Sequence, residues 1–182
     1  SETLNNIANL YETLKNYKIA LEYFEKALKY DEESDDDESR SVTYNNIANV
    51  YSSMQDYDLA LEYYSKALKI DEEADYQEGI AAALNNIGLI HHERRNFKLA
   101  LEEYSRSLKI SEEYKDKWAI ANTNNNIGEL YYDIKDYDKA FEFVRTGLKH
   151  ALEMKVSDLE MESYNILSKL NYAVKNYKKG YE

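Results

Sequence analysis

Apolar residues recur along this chain in two alternating helical stripes. Between residues 44 and 83, Tyr44, Ile47, Ala48 and Tyr51 stand at i, i+3, i+4 and i+7, and Tyr57, Ala60, Leu61, Tyr64, Ala67 and Leu68 follow at the same spacing. Such periodicity turns one side of each segment to a core and the other to water, so it predicts two amphipathic helices. The pair returns at a constant spacing: LNNIANLY from Leu4, YNNIANVY from Tyr44, LNNIGLIH from Leu84, NNNIGELY from Asn124 and YNILSKLN from Tyr164 align without a gap. Residues 4–43 and 44–83 agree at 20 of 40 positions, far more than unrelated sequences share. We therefore read residues 1–182 as a single array, with repeats at 4–43, 44–83, 84–123 and 124–163 and a partial fifth at 164–182.

Single columns sharpen that reading. Asn16, Asp56, Asn96, Asp136 and Asn176 fall between the two helices of each repeat, where a side-chain oxygen can cap the free N–H groups of the second helix. Breaks after the second helices are expected near Ser34 to Asp36, Asp75, Lys115 to Asp116 and Ser157. Ala8, Ala48, Gly88, Gly128 and Ser168, with Ala20, Ala60, Ala100, Ala140 and Gly180, keep two columns small, facing Phe24, Tyr64, Tyr104 and Val144. Small against large at fixed offsets lets helices approach closely and interdigitate. One hairpin cannot bury both of its apolar faces, so neighbours must stack.

Composition removes other classes. The chain has no proline, no cysteine and only five glycines, with 43% apolar residues and a net charge of −12. Disulfides and thiolate metal sites are excluded, and a cytoplasmic location is the mild inference. The acidic balance argues against nucleic acid, which needs a basic stripe, and no apolar run is long enough to span a membrane.

The columns Tyr44-x2-Ile47-Ala48-x2-Tyr51 and Ala60-x3-Tyr64, repeated in register, resemble the tetratricopeptide repeat. Two departures stand out: the usual helix-ending proline is missing, and the usual glycine between the helices is replaced by Lys15, Gln55, Arg95, Lys135 and Lys175. The longer-period variety is similar to arrays in bacterial signalling proteins, kinesin light chains and peptide-pheromone receptors. That resemblance implies an all-α, right-handed superhelical solenoid whose first helices line a groove for an extended peptide. It further implies that Asn6, Asn46, Asn86 and Asn126, with Asn9 and Asn49 one turn on, bond the backbone of the guest.

The residues themselves support an amide ladder, because an amide both donates and accepts and can bond a main chain whatever its side chains. A column at Asn5, Asn45, Asn85, Asn125 and Asn165 runs beside it, and one of the two could instead tie neighbouring helices together. Other first-helix positions on that face are Glu2, Glu12, Ser52, Ser53, Leu89, His92, Glu93, Glu129, Tyr132, Asp133, Glu162 and Lys169. Acids outnumber bases among them, so a neutral or basic protein or peptide partner is expected, with Glu129, Tyr132 and His92 selecting side chains. Trp118 is expected to pack locally. The run Asp31 to Glu38 lacks calcium-loop spacing and is expected to be a solvated bend, with no metal and no cofactor. His91-His92-Glu93 lacks a second ligand at i+4, and no glycine-rich phosphate loop is present, so a binding scaffold rather than an enzyme is expected. The alternative reading is a self-association module of a signalling protein.

Overall fold

The computed structural model describes residues 1–179, with side chains to residue 175; the expected small position Gly180 lies outside them. The described residues form nine helices and no strand: α1 (Glu2–Thr13), α2 (Tyr17–Ser34), α3 (Asp37–Ser53), α4 (Tyr57–Glu73), α5 (Gln77–Glu93), α6 (Phe97–Tyr114), α7 (Lys117–Asp133), α8 (Tyr137–Met154) and α9 (Ser157–Lys179). Odd-numbered helices are the first helices of the repeats, and even-numbered helices the second. Two compact units result, Ser1–Ile90 and His91–Glu182.

Each unit has its own core. In the first, Ala8, Ala20, Phe24, Ile47 and Val50 form one cluster, and Ala48, Ala60, Tyr64, Ile87 and Ile90 form the next. Each joins the second helix of one repeat to the first helix of the repeat that follows. Val50 and Ile90 meet the small Ala20 and Ala60 columns, so the backbones come close and Phe24 and Tyr64 fill the space beside them. In the second unit, Ala100, Tyr104, Leu130, Ala140, Val144 and Leu170 repeat that arrangement, and Ala121, Ala151 and Leu159 form a smaller cluster. Burial of each large side chain contributes about 2 kcal/mol. Gly128 belongs to the small column, and a methyl group there would collide with Val144.

The turns show a regularity finer than the repeat itself. Lys15, Asp35, Gln55, Asp75, Arg95, Lys115, Lys135 and Lys155 all have positive φ, between 54° and 65°, and they are evenly spaced at half the repeat period. After each, the next backbone N–H bonds back to the carbonyl five residues earlier, as in Asn16 to Tyr11, Asp36 to Asp31 and Asp56 to Tyr51. These are Schellman closures, which satisfy the last carbonyls of a helix and normally use glycine at the left-handed residue. The turns within repeats and between repeats are thus the same turn.

The expected caps sit where the columns placed them, but only the aspartates make the bond: Asp56 accepts from Leu59 N–H and Asp136 from Lys139 N–H. Asn16 and Asn96 occupy the cap position without a side-chain cap bond. A carboxylate presents two charged acceptors to the helix N-terminus, whereas an amide has only one oxygen and is uncharged. The fifth repeat departs from expectation, because α9 continues through Lys175 and Asn176 to Lys179 instead of turning. A left-handed lysine costs about 1 kcal/mol, which the other turns recover by packing a second helix.

The acidic run is also corrected. Its bend falls at Asp35 and Asp36 as expected, but Asp31 is 0% exposed and accepts a hydrogen bond from the Thr43 hydroxyl at 2.9 Å. Trp118, expected to pack, is 52% exposed.

Candidate functional site

Two adjacent asparagine columns separate by depth. Asn5 is buried and donates to Thr43 Oγ1 at 3.0 Å on the next first helix, α3, and Thr43 in turn donates to Asp31. In the second unit, Asn125 is wholly buried, accepts from the Ser163 hydroxyl at 2.8 Å and donates to Glu162 at 3.3 Å. At these two positions the column ties one first helix to the next, satisfying buried amides that would otherwise destabilise the stack, whereas Asn45 donates to the Ser41 carbonyl of its own helix and Asn165 is exposed.

In α1, α5 and α7 the second column lies one residue further round the helix and nearer the surface. Asn6 is exposed, and Asn46, Asn86 and Asn126 are half-buried. Asn46 donates to Asn5 Oδ1 at 3.3 Å, and Asn126 to Asn122 Oδ1 at 3.3 Å. One turn on, Asn9 is half-buried and Asn49 accepts from the Tyr64 hydroxyl. In the first unit, Asn6, Asn9 and Asn46 line a cleft of ≈ 220 Å³ together with Glu2, Glu38 and Val42. Both acids and the exposed face of Val42 add charge and an apolar contact to a set of amides.

Bonds between adjacent first helices recur at equivalent positions within each unit. Ser53 donates to Glu12 at 3.4 Å in the first unit, and His92 Nε2–H donates to Asp133 Oδ2 at 3.1 Å in the second. His92 is buried, whereas Glu129 is open enough to receive Lys169 Nζ at 2.7 Å. Tyr132 is half-buried and tilted against Tyr137 with ring centroids 6.0 Å apart. The geometry thus brings His92, Glu129, Tyr132 and Asp133 to one face of the second unit, and Asn6, Asn9 and Asn46 to one cleft of the first.

Burial is the main influence on the carboxyls of this face. It pushes the Glu12 carboxyl up, against the Ser53 hydrogen bond. Burial likewise raises Glu162, helped by Glu129 and opposed by Asn125 and Lys169. Lys169 is raised chiefly by its hydrogen bond to Glu129. The hydroxyls of Tyr64 and Tyr104 are pushed far up by burial and stay protonated.

Several partners escaped the sequence reading. Aromatic stacking pairs Tyr11 with Tyr23, Tyr51 with Tyr63 and Tyr131 with Phe143 at 5.5–5.7 Å. Their common offset along the chain was the available signal. Asp31 and Asp71 were also missed, although the spacing of Ala20, Phe24, Ala27 and Asp31 places the aspartate on the inward stripe. Among the described residues no cluster of three metal-ligating side chains occurs, and no helix is long and apolar enough to cross a membrane.

Comparison with known proteins bears on this arrangement. None of the curated proteins compared with the chain matches it. Among solved structures, BtubC (BKLC) from P. vanneervenii superposes with a TM-score of 0.81 at 24% identity, over 98% of this chain and 74% of that one. Aspartyl phosphate phosphatase F from Bacillus subtilis gives 0.81 at 18% identity, covering 97% and 48% respectively. A Rap protein complexed with Competence and Sporulation Factor gives 0.81 at 20%, covering 96% and 52%. The chain spans about half the length of the last two. At these identities the likeness shows the fold. The tetratricopeptide repeat profile matches residues 1–73 and 79–153, most of the sequence, and with the helix pairs, small columns and fold described above it establishes that the chain belongs to the tetratricopeptide repeat family.

Proposed function

We propose that this chain is a peptide- or protein-binding scaffold, the sensory or regulatory part of a signalling protein, whose first-helix faces hold an extended partner segment. The observation that carries this reading is the cleft of ≈ 220 Å³ at Asn6, Asn9 and Asn46, where amide donors and acceptors surround an exposed Val42. Such a site can bond a main chain through its amides and seat a small apolar side chain beside them. A Rap protein of the same fold is described in complex with a factor, which supports a partner of this kind. The Glu2 and Glu38 carboxylates at the cleft, with Glu129 and Asp133 in the second unit, favour neutral or basic guests over acidic ones.

The test is an affinity measurement against the partner recovered with the wild-type chain. Replacing Asn46, Asn86 and Asn126 together with alanine is expected to weaken binding at least tenfold while circular dichroism stays unchanged; equal affinity would reject the ladder.

Self-association is the second reading, and one observation favours it. Leu10 is 60% exposed, whereas its equivalents Val50, Ile90, Leu130 and Leu170 are all buried. Its α1 face therefore offers an apolar contact to a second copy. Sedimentation of the chain, with Leu10→Lys as the control, decides this: a concentration-independent monomer counts against it.

A further inference from the structure

A relay of side-chain hydrogen bonds runs inward from the cleft of the first unit. Asn46 on α3 donates to Asn5 Oδ1 at 3.3 Å, Asn5 donates to Thr43 Oγ1 at 3.0 Å, and Thr43 donates to Asp31 Oδ2 at 2.9 Å. Asn46 and Asn5 line the cleft, whereas Thr43 and Asp31 are both 0% exposed. The two inner groups touch no guest, yet they decide how the two outer amides are turned.

The direction of every bond follows from the inner end. An amide can present either its oxygen or its NH2 group to a neighbour, since the two have nearly the same shape, and the surrounding bonds choose between them. Thr43 has one hydroxyl proton, and it faces two acceptors, the Asp31 carboxylate and the Ser39 carbonyl, each at 2.9 Å. Thr43 therefore directs its proton inward and meets Asn5 with a lone pair, which calls for the NH2 end of Asn5. Asn5 Oδ1 is then left for the NH2 group of Asn46. Asn46 keeps its own Oδ1 and one N–H for the cleft it lines.

The second unit holds the same positions without the aspartate. Ala151, Ser163 and Asn125 are the equivalents of Asp31, Thr43 and Asn5. There the polarity is reversed: the Ser163 hydroxyl donates to Asn125 Oδ1 at 2.8 Å, and the Asn125 NH2 group donates to Glu162 at 3.3 Å. In both units the hydroxyl also bonds the carbonyl four residues back, Ser39 or Leu159, so the group that changes beneath it is the carboxylate.

We propose that Asp31 is a positioning residue for guest recognition: acting through Thr43 and Asn5, it leaves the Asn46 carbonyl oxygen free at the cleft and so selects a guest that donates a main-chain N–H there. This rests on the reading that the cleft at Asn6, Asn9 and Asn46 binds a peptide. With the amides reversed, Asn46 would offer two N–H groups while its oxygen was held by Asn5, and the same cleft would favour guest carbonyls.

The probes are N-acetyl-Val-Lys-Val methylamide and its analogue methylated at every main-chain nitrogen, which keeps the carbonyls and has no main-chain N–H. Both are titrated into the full chain and followed by ¹⁵N–¹H NMR at the Asn46 side chain. In the wild type the unmethylated peptide is expected to bind about fivefold more tightly than its analogue. Asp31→Ala, which copies Ala151, and Thr43→Val, which keeps the volume and removes the hydroxyl, are each expected to bring that ratio to about one. Thr43→Ser keeps the hydroxyl and loses a buried methyl group, and it is expected to keep the ratio; a merely structural role would make the ratio follow stability instead. A wild type that does not distinguish the two peptides, or a ratio unchanged in whichever of Asp31→Ala and Thr43→Val is folded by circular dichroism, overturns the proposal. The asparagine variants described above separate it from the general reading. If they lose partner binding while the ratio ignores Asp31, the relay falls and the ladder stands; the opposite pattern removes the ladder and keeps the relay.

Discussion

The two units differ in what they bury. In the first, α1 and α3 present amides and hydroxyls (Asn6, Asn9, Asn46, Ser52 and Ser53) beside Glu2, Glu12 and Glu38, and the interior also holds the carboxylates of Asp31 and Asp71. In the second, the face of α7 and α9 carries Glu129, Asp133, Glu162 and Lys169, while the positions equivalent to the buried aspartates are Ser111 and Ala151. One backbone plan therefore admits or omits a buried charge at the same position. The columns that hold the stack together and the columns that face a partner vary independently.

The largest expected effect comes from a column that differs between the units. Ala27 and Ala67 are wholly buried, whereas the second unit has Gly147, where an added methyl would lie 2.7 Å from Asn125 Oδ1 and 2.9 Å from the Ala121 carbonyl. Gly147→Ala, a change that usually strengthens a helix, is expected to destabilise by about 2 kcal/mol in urea unfolding. Ala67→Gly in the first unit should cost about 1.5 kcal/mol, from backbone entropy and the loss of one buried methyl group. If Gly147→Ala is neutral, the Asn125 network is looser than described.

Asp71 is the next lever. Its Oδ2 is buried without a hydrogen bond, and burial holds its carboxyl above the usual range. A carboxyl raised on folding binds its proton more tightly in the native state. It therefore weakens the fold at neutral pH, and that loss is relieved as pH falls through the raised value toward the unfolded one near 4. Asp71→Asn is expected to gain about 1 kcal/mol at pH 7, with the gain shrinking as the pH is lowered. A difference between variant and wild type that does not change with pH would show that the carboxylate is well solvated.

The paired tyrosines give a smaller contrast. The Tyr64 hydroxyl donates to Asn49, and Tyr104 has no such partner. Tyr64→Phe should lose about 1 kcal/mol, while Tyr104→Phe should be neutral or stabilising. Equal losses would erase the distinction between the units at this column.

The smallest effect tests what the units share. Gln55→Gly and Lys135→Gly each relieve a left-handed residue, with φ of 62° and 65°. Each should raise stability by about 0.5 kcal/mol, the relief being partly offset by the greater freedom of glycine in the unfolded chain. Unequal gains would mean that the two turns are not equivalent.

Much of this architecture is written in the chain because repetition averages out local ambiguity. A single Tyr-x2-Ile-Ala-x2-Tyr stripe is weak, but four in register fix helix pairs, small columns and cap positions. What the pattern does not carry is depth. Asn5 and Asn6 are adjacent and chemically identical, yet about 100° of helix rotation buries the first and leaves the second at the surface. Asp31 and Asp71 look like surface acids because the residues after them are acidic, and only their phase with Ala20, Phe24 and Ala27 reveals them. The Lys169–Glu129 pair joins one repeat to the next, so it becomes visible only when the repeats are stacked.

The uniform turn has a consequence for how such a chain can change length. Because the same left-handed closure recurs twice in each of the four full repeats, a deletion or duplication of half a repeat would rejoin one well-formed turn to another. It would nevertheless set a first helix where a second belongs, exchanging the amide-bearing surface for the small-column surface. Only whole repeats keep both, so the turns tolerate half-steps that the faces forbid. Gene duplication in such a protein is constrained by its helix faces, and the joints impose no such limit.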